Sequence, residues 1–258
     1  MDLGIKNKMF IVTGATSGLG NGVAQALIKE GARIIAVARD SERLMRFESE
    51  NRGKVESFQG DITEPETIEK LIRYMGDRYL SGILVNAGGP PAKSFLETVL
   101  EDWDTAYRNL LRWKVDLISS LMPVFIRQKY GRIVFIESMS VKQPVANLIL
   151  SNSLRLSVVG FAKTLSQEVA KDGITVNILA PGFHDTPAAQ RLFVKRSEVE
   201  NIPVADARKK YGLEIPVGKM GDTLEFGNLA AWLLSPYSGF ITGQTISVDG
   251  GAIKGTMG

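Results

Sequence analysis

The 258-residue sequence contains no cysteine. That excludes a disulfide scaffold, a thiolate metal site and a cysteine nucleophile. It contains a single histidine, His184, so a zinc centre built from His and Cys cannot be assembled, and no metal is expected. A dominant sign of charge is missing too: 31 Lys and Arg stand against 28 Asp and Glu, a net +3 at pH 7. The basic residues are scattered, apart from a modest concentration between Lys195 and Lys210. A nucleic-acid binder would gather them into a stripe. No apolar run approaches the ~18 residues that span a bilayer. The opening MDLGIKNKMFIVTG also lacks the apolar stretch of a signal peptide. A cytoplasmic chain with neither nucleic acid nor membrane as partner is expected.

What is present is alternation. Apolar runs at 9–12, 34–38, 55–58, 83–85, 132–136, 174–179 and 245–248 are separated by helical segments. Strands apolar on both faces suit a parallel sheet covered on both sides. The expected fold class is α/β: a Rossmann-type, doubly wound parallel sheet with helices on both faces, residues 1–258 forming one domain. Helices are expected over about 21–30, closed by Gly31, after a cap at Asp40 or Ser41, over 101–130 and over 151–171. The stretch 183–219 is polar, interrupted by Pro187, Pro203 and Pro216, and reads as irregular. It follows a strand's carboxyl end, where a substrate lid would be inserted.

The turn after the first strand carries the clearest chemistry. Thr13-Gly-Ala-Thr-Ser-Gly-Leu-Gly20 joins that strand to the first helix. Glycines allow a tight turn and close backbone approach, and the helix start offers free N–H groups and a positive dipole to a pyrophosphate. Arg39 lies just past the second strand, after the small, neutral Ala38. An NAD enzyme would carry a carboxylate there, whereas a guanidinium suits the 2′-phosphate of NADP. NADP is therefore expected over NAD; the competing reading is a surface arginine paired with Asp40.

These residues resemble the short-chain dehydrogenase/reductase family. Thr13 to Gly20 matches its TGxxxGxG turn, with Gly14, Ser17, Gly18, Leu19 and Gly20 at cofactor-contacting positions. Asp61, followed by Ile62, matches the adenine-contacting aspartate, and Asn86-Ala-Gly88 resembles the NAG motif without the first asparagine of the common NNAG. Asn177 with Pro181-Gly182 matches VNxxxPG, Thr186 falls where the family contacts the nicotinamide end, and Ile241 to Gly251 is close to the family's C-terminal signature. The resemblance covers nearly the whole chain. It implies an NADP-dependent oxidoreductase acting on a small carbonyl or alcohol, assembled as a homo-oligomer, a tetramer. Apolar Leu110, Leu111, Leu117, Ile118 and Leu121, more than one buried face readily uses, point the same way.

The catalytic centre departs from the family, whose chemistry uses Ser, Tyr and Lys with an Asn on the long central helix. Ser138 keeps the serine position, with Ser140 a weaker candidate; the YxxxK pair becomes Ser151 and Arg155, and the asparagine position becomes Leu110. Asn109 is its neighbour, but one residue turns a helical side chain by ~100°. Arginine keeps the charge yet cannot release a proton, and serine is a poor general acid. Ser138, Ser151 and Arg155 read either as a pocket that polarises a carbonyl oxygen or as a packed polar remnant. The proton donor stays open among Ser151, His184, Lys142 and water, with Tyr107 weaker still. A dinucleotide-binding protein that has lost catalysis is the alternative function.

Overall fold

The computed structural model describes residues 2–256, apart from the side chains of Arg191 and Lys195. Seven strands form the sheet: β1 Met9–Thr13, β2 Arg33–Ala38, β3 Val55–Gln59, β4 Gly82–Val85, β5 Gly131–Ile136, β6 Ile174–Pro181 and β7 Thr245–Val248. Neighbours pair in parallel in the order β3-β2-β1-β4-β5-β6-β7. Chain order reverses at β1 and β4, which opens a crevice at their carboxyl ends. The expected α/β class is therefore what forms, because side chains on both faces of the central strands are buried.

Two apolar clusters sandwich the sheet. On one face Phe10, Val12 and Val134 meet helices α1 (Gly18–Lys29), α2 (Ser41–Glu50) and α9 (Thr223–Leu233). On the other, Ile11, Ile133 and Phe135 meet α3 (Pro65–Met75), α5 (Trp113–Gln128) and α6 (Ile149–Val169). Each fully buried Leu, Ile, Val or Phe contributes about 1.5–3 kcal/mol, so the core holds the strand ends in register. Asp40 caps α2 by accepting from the Arg43 N–H at 3.0 Å, as its residue type predicts. Gly31 ends α1 in the left-handed region at φ +80°. Helices α1 and α9 cross backbone to backbone: a Cβ on Gly22 would lie 2.1 Å from the Thr223 carbonyl oxygen, and one on Gly227 2.2 Å from that of Gly22.

Three expectations need correction. The stretch 183–219 is mostly helical, with α7 at Pro187–Glu200 and α8 at Val204–Leu213. Its prolines lie outside helix interiors, Pro187 in the first turn of α7 and Pro203 as the cap of α8, positions where a missing N–H is harmless. The helix predicted over 101–130 forms continuously over 100–128 but is not regular: α4 (Leu100–Tyr107) passes through a wide π turn, Arg108–Arg112, into α5. Finally, Leu110, Leu117, Ile118 and Leu121 are buried within the single chain and Leu111 packs against the same cluster, so they leave no surplus apolar face for a partner. Among the described residues, no helix is long and apolar enough to cross a membrane.

Candidate active site

The turns singled out in the sequence leave the sheet along one edge, at the carboxyl ends of β1 to β6. The Thr13 hydroxyl donates to the Asn86 carbonyl and accepts from the Asn86 N–H, both at 2.7 Å, tying the ends of β1 and β4 together across the crevice. Gly14 and Gly18 take φ values of +65° and +54°, which an L side chain rarely adopts. A Cβ on Gly20 would stand 2.2 Å from the Gly14 carbonyl oxygen, so the start of α1 is seated directly on the turn. Ser17 precedes α1 without a side-chain capping bond, and the first turn holds no acid. The positive end of α1 therefore keeps its field. Leu19 packs partly into the core, and Ile62 is buried.

Arg39 projects from the end of β2 with 79% of its side chain exposed, its guanidinium 3.5 Å from the Asp61 carboxylate. The suggested partner Asp40 is occupied instead with Arg43, as cap and at 3.2 Å as ion pair. Asp61 also accepts from the Thr63 N–H and hydroxyl at 3.1 and 2.8 Å. Farther along the edge, Pro181 is buried, and a Cβ on Gly182 would meet Asp249 at 2.7 Å. Thr186 caps α7, accepting from the Ala189 N–H at 3.3 Å, and its methyl lies 3.6 Å from the Cβ position of Gly18. Thr186 and the glycine turn thus share one cleft. Gly88 has open space around it, so sterics do not demand a glycine there. Asn177 is buried, its side chain bonded to the Ile241 carbonyl and the Gln244 N–H at 2.8 and 3.1 Å, a role in holding β6 to the following chain.

One turn of α6 brings Ser151 and Arg155 onto the same buried face, with Arg155 Nε donating to Ser151 Oγ at 3.0 Å. Sequence reasoning missed the group that organises them. Glu137, immediately before Ser138, is fully buried; its Oε2 accepts from Arg155 Nη1 at 2.9 Å and its Oε1 from the Lys114 ammonium of α5. Burial pushes the Lys114 ammonium below the ordinary lysine range, against the pull of the Glu137 carboxylate, and the Arg155 charge pushes the same way as burial. A signal existed: Lys114 interrupts the apolar stripe of Leu110, Leu117 and Leu121, and a charge so placed needs a buried counter-charge. Ser138 bonds within its own turn, its hydroxyl accepting from the Ser140 N–H at 3.2 Å. It joins the cluster through the chain at Glu137.

The remaining candidates separate. Leu110 is buried while Asn109 faces solvent, so the π turn does not rotate the asparagine inward. Tyr107 is exposed at the end of α4, and Lys142 is half-buried after the short turn 139–141. His184 is buried edge-on against Phe226, with ring centroids 5.3 Å apart, and its Nδ1 lies 3.2 Å from the Gly182 carbonyl oxygen. Burial pushes its pKa below the ordinary value, against the pull of the Gly182 carbonyl, Asp222 and Glu225.

Comparison with known proteins finds reductases along nearly the whole chain. The family model described as enoyl-(acyl carrier protein) reductase matches residues 14–252. A 3-oxoacyl-(acyl-carrier-protein) reductase FabG of Vibrio cholerae is 28% identical over 251 residues, covering 96% of this chain and 98% of its own. Among solved structures, L-sorbose reductase from Gluconobacter frateurii, complexed with NADPH and L-sorbose, superposes with a TM-score of 0.93 at 26% identity, over 99% of this chain and 100% of that one. An actinorhodin polyketide ketoreductase with NADPH gives 0.88 at 29% identity, over 95% and 97%. Matched from its glycine turn to its last strand and beyond, the chain belongs to the short-chain dehydrogenase/reductase family.

Proposed function

We propose that this protein is an NADP-dependent oxidoreductase that transfers hydride between the nicotinamide cofactor and a carbonyl or alcohol carbon. The observation that carries the reading is the pairing of an acid-free α1 terminus with the exposed Arg39 at the end of β2. Such a pair fits a dinucleotide bearing a 2′-phosphate: backbone N–H groups for the pyrophosphate and a guanidinium for the extra dianion. The sorbose reductase and ketoreductase solved with NADPH support the same cofactor. With reductases aligned along nearly the whole chain, a non-catalytic scaffold is the poorer account.

The residues that would hold the cofactor are Gly14, Ser17, Gly18, Leu19, Gly20, Arg39, Asp61, Ile62, Asn86, Gly88, Pro181, Gly182 and Thr186. When bound, NADPH supplies the hydride. Ser138, Ser151 and Arg155 polarise the carbonyl oxygen and receive negative charge as it develops there, a service that needs donors but no proton transfer. Arginine retains its proton throughout, so the proton that completes an alcohol comes from water. Helices α7 and α8 act as the substrate lid, stiffened by Phe193 and Phe183 packed at a tilt around Tyr211 and by the Arg196–Glu200 and Lys210–Glu200 ion pairs. On the family resemblance alone, the protein works in the cytoplasm as a homotetramer; light scattering at micromolar concentration would test the assembly, and a monomer would refute it.

Steady-state NADPH oxidation against a panel of aldehydes and ketones tests the function. Turnover of at least one class is expected. NADPH binding with no turnover across the panel would leave only a binding role, and absence of NADPH binding would remove the reading altogether.

A further inference from the structure

Lys114, Glu137 and Arg155 bury three charges where two would suffice for pairing. Taking a charge out of water is costly, and a buried ion persists only when paired and hydrogen-bonded. A lone Glu137–Arg155 pair would be neutral. Lys114 adds a second cation to a carboxylate whose two oxygens are each already taken by one cation. Among the described residues neither cation has another ion-pair partner, so with all three groups ionised the cluster carries one net positive charge. Arg155 Nη2 makes no hydrogen bond among these residues, although Nε and Nη1 both do. Beside it lies Gly89, whose Cβ position is only 3.1 Å from Nη2, so the absence of a side chain there in the turn after β4 leaves room at that donor. A free donor, a buried surplus charge and the carboxyl edge of the sheet coincide.

We infer that this surplus charge selects the substrate: the pocket takes a keto acid, whose carboxylate is held by Arg155. Glu137 is the positioning residue that fixes the guanidinium, and Lys114 prevents Glu137 from neutralising it. The inference rests on the oxidoreductase reading for the reacting carbonyl but not for the carboxylate, which binds whether or not hydride moves. A transient oxyanion alone would not require a standing charge, since neutral donors stabilise one as it forms. An arriving carboxylate instead balances the cluster in the ground state.

The test uses the NADP⁺ complex and two unreactive probes of similar shape, propanoate and propanamide, titrated by calorimetry. Propanoate should bind at least tenfold more tightly. Lys114→Met should abolish that preference, because Glu137 then cancels Arg155. The double variant Lys114→Met/Glu137→Gln should restore it, because Arg155 stands alone with the original net charge. Such a rescue is not expected of residues that only pack. NADPH fluorescence titration and thermal melting on the same samples keep the failures apart: lost NADPH binding counts against the oxidoreductase reading, not this one. Equal binding of the two probes by the parent protein would overturn the inference, even if no variant folds. A preference unchanged in a folded Lys114→Met protein would overturn it equally.

Discussion

Arg39→Ala removes the cation at the end of β2, and the geometry sets the size of the effect. Without cofactor, the guanidinium leans on Asp61 at 3.5 Å, with the two side chains 79% and 37% exposed. A pair that open is worth about 0–1 kcal/mol. A hydrogen bond to a charged phosphate is worth about 1.5–3 kcal/mol. Exchanging the first for the second leaves about 0.5–3 kcal/mol in favour of the phosphate. The variant should therefore bind NADPH about 2- to 150-fold more weakly, since each 1.4 kcal/mol is tenfold. NADH has no phosphate to lose and should change by less than about twofold, and the melting temperature should stay put because the lost pair is a surface one. Fluorescence titration of both nucleotides reads the two constants directly. Because the site is exposed, raising salt to about 0.5 M should narrow the gap between parent and variant. Equal weakening of NADH, or tighter NADH than NADPH binding in the parent, refutes the phosphate assignment.

Other consequences follow from the buried centre and the helix crossing. Ser151→Ala should lower kcat/KM for carbonyl reduction about 10²–10³-fold with NADPH affinity retained, while Arg155→Ala should weaken both; unchanged turnover in both would make the pocket a bystander. Installing the family pair with Ser151→Tyr/Arg155→Lys should lower activity on the native substrate, whereas a gain on simple ketones would mark the centre as a remnant. His184 is held neutral by burial, so its folded pKa lies below the ordinary 6.5 while the unfolded chain takes up a proton near that value. Its contribution to stability is thus complete above that pH and is lost as pH falls toward the folded pKa, by at most about 1.4 kcal/mol per unit. Urea midpoints between about pH 5.5 and 7 should flatten in His184→Gln, and an unchanged slope would contradict this. Gly227→Ala forces a Cβ to 2.2 Å from the Gly22 carbonyl oxygen. The overpacking should cost about 1–3 kcal/mol in a denaturant titration and weaken NADPH and NADH alike, since it pushes on α1 rather than on the phosphate.

The sheet was legible because each strand carries its own evidence. Runs such as Ile34 to Ala38 are apolar on both faces, and only a covered sheet accepts that. Helices α7 and α8 were hidden by composition: few of their side chains are buried, so no apolar stripe marks them. The Thr186–Pro187 cap was the available sign. The π turn leaves no trace in periodicity short enough to read, because one extra residue shifts the stripe without breaking it. At the centre, family alignment found Ser151 and Arg155, which lie four residues apart on one helix. Glu137 and Lys114 come from different elements and meet only through the packing of α5 against β5. Pairing across 23 residues is invisible to local pattern.

The Gly22–Gly227 crossing bears on how fast nucleotide is captured. With the backbones of α1 and α9 in contact, the N–H groups at the head of α1 cannot retreat and return as ligand enters or leaves. The dinucleotide half of the site is then assembled before encounter, and little ordering entropy remains to be lost there on association. Capture should proceed in a single concentration-dependent phase at a rate set by collision and orientation. Any slower, saturating phase in stopped-flow traces would belong to the α7 and α8 wall of the cleft.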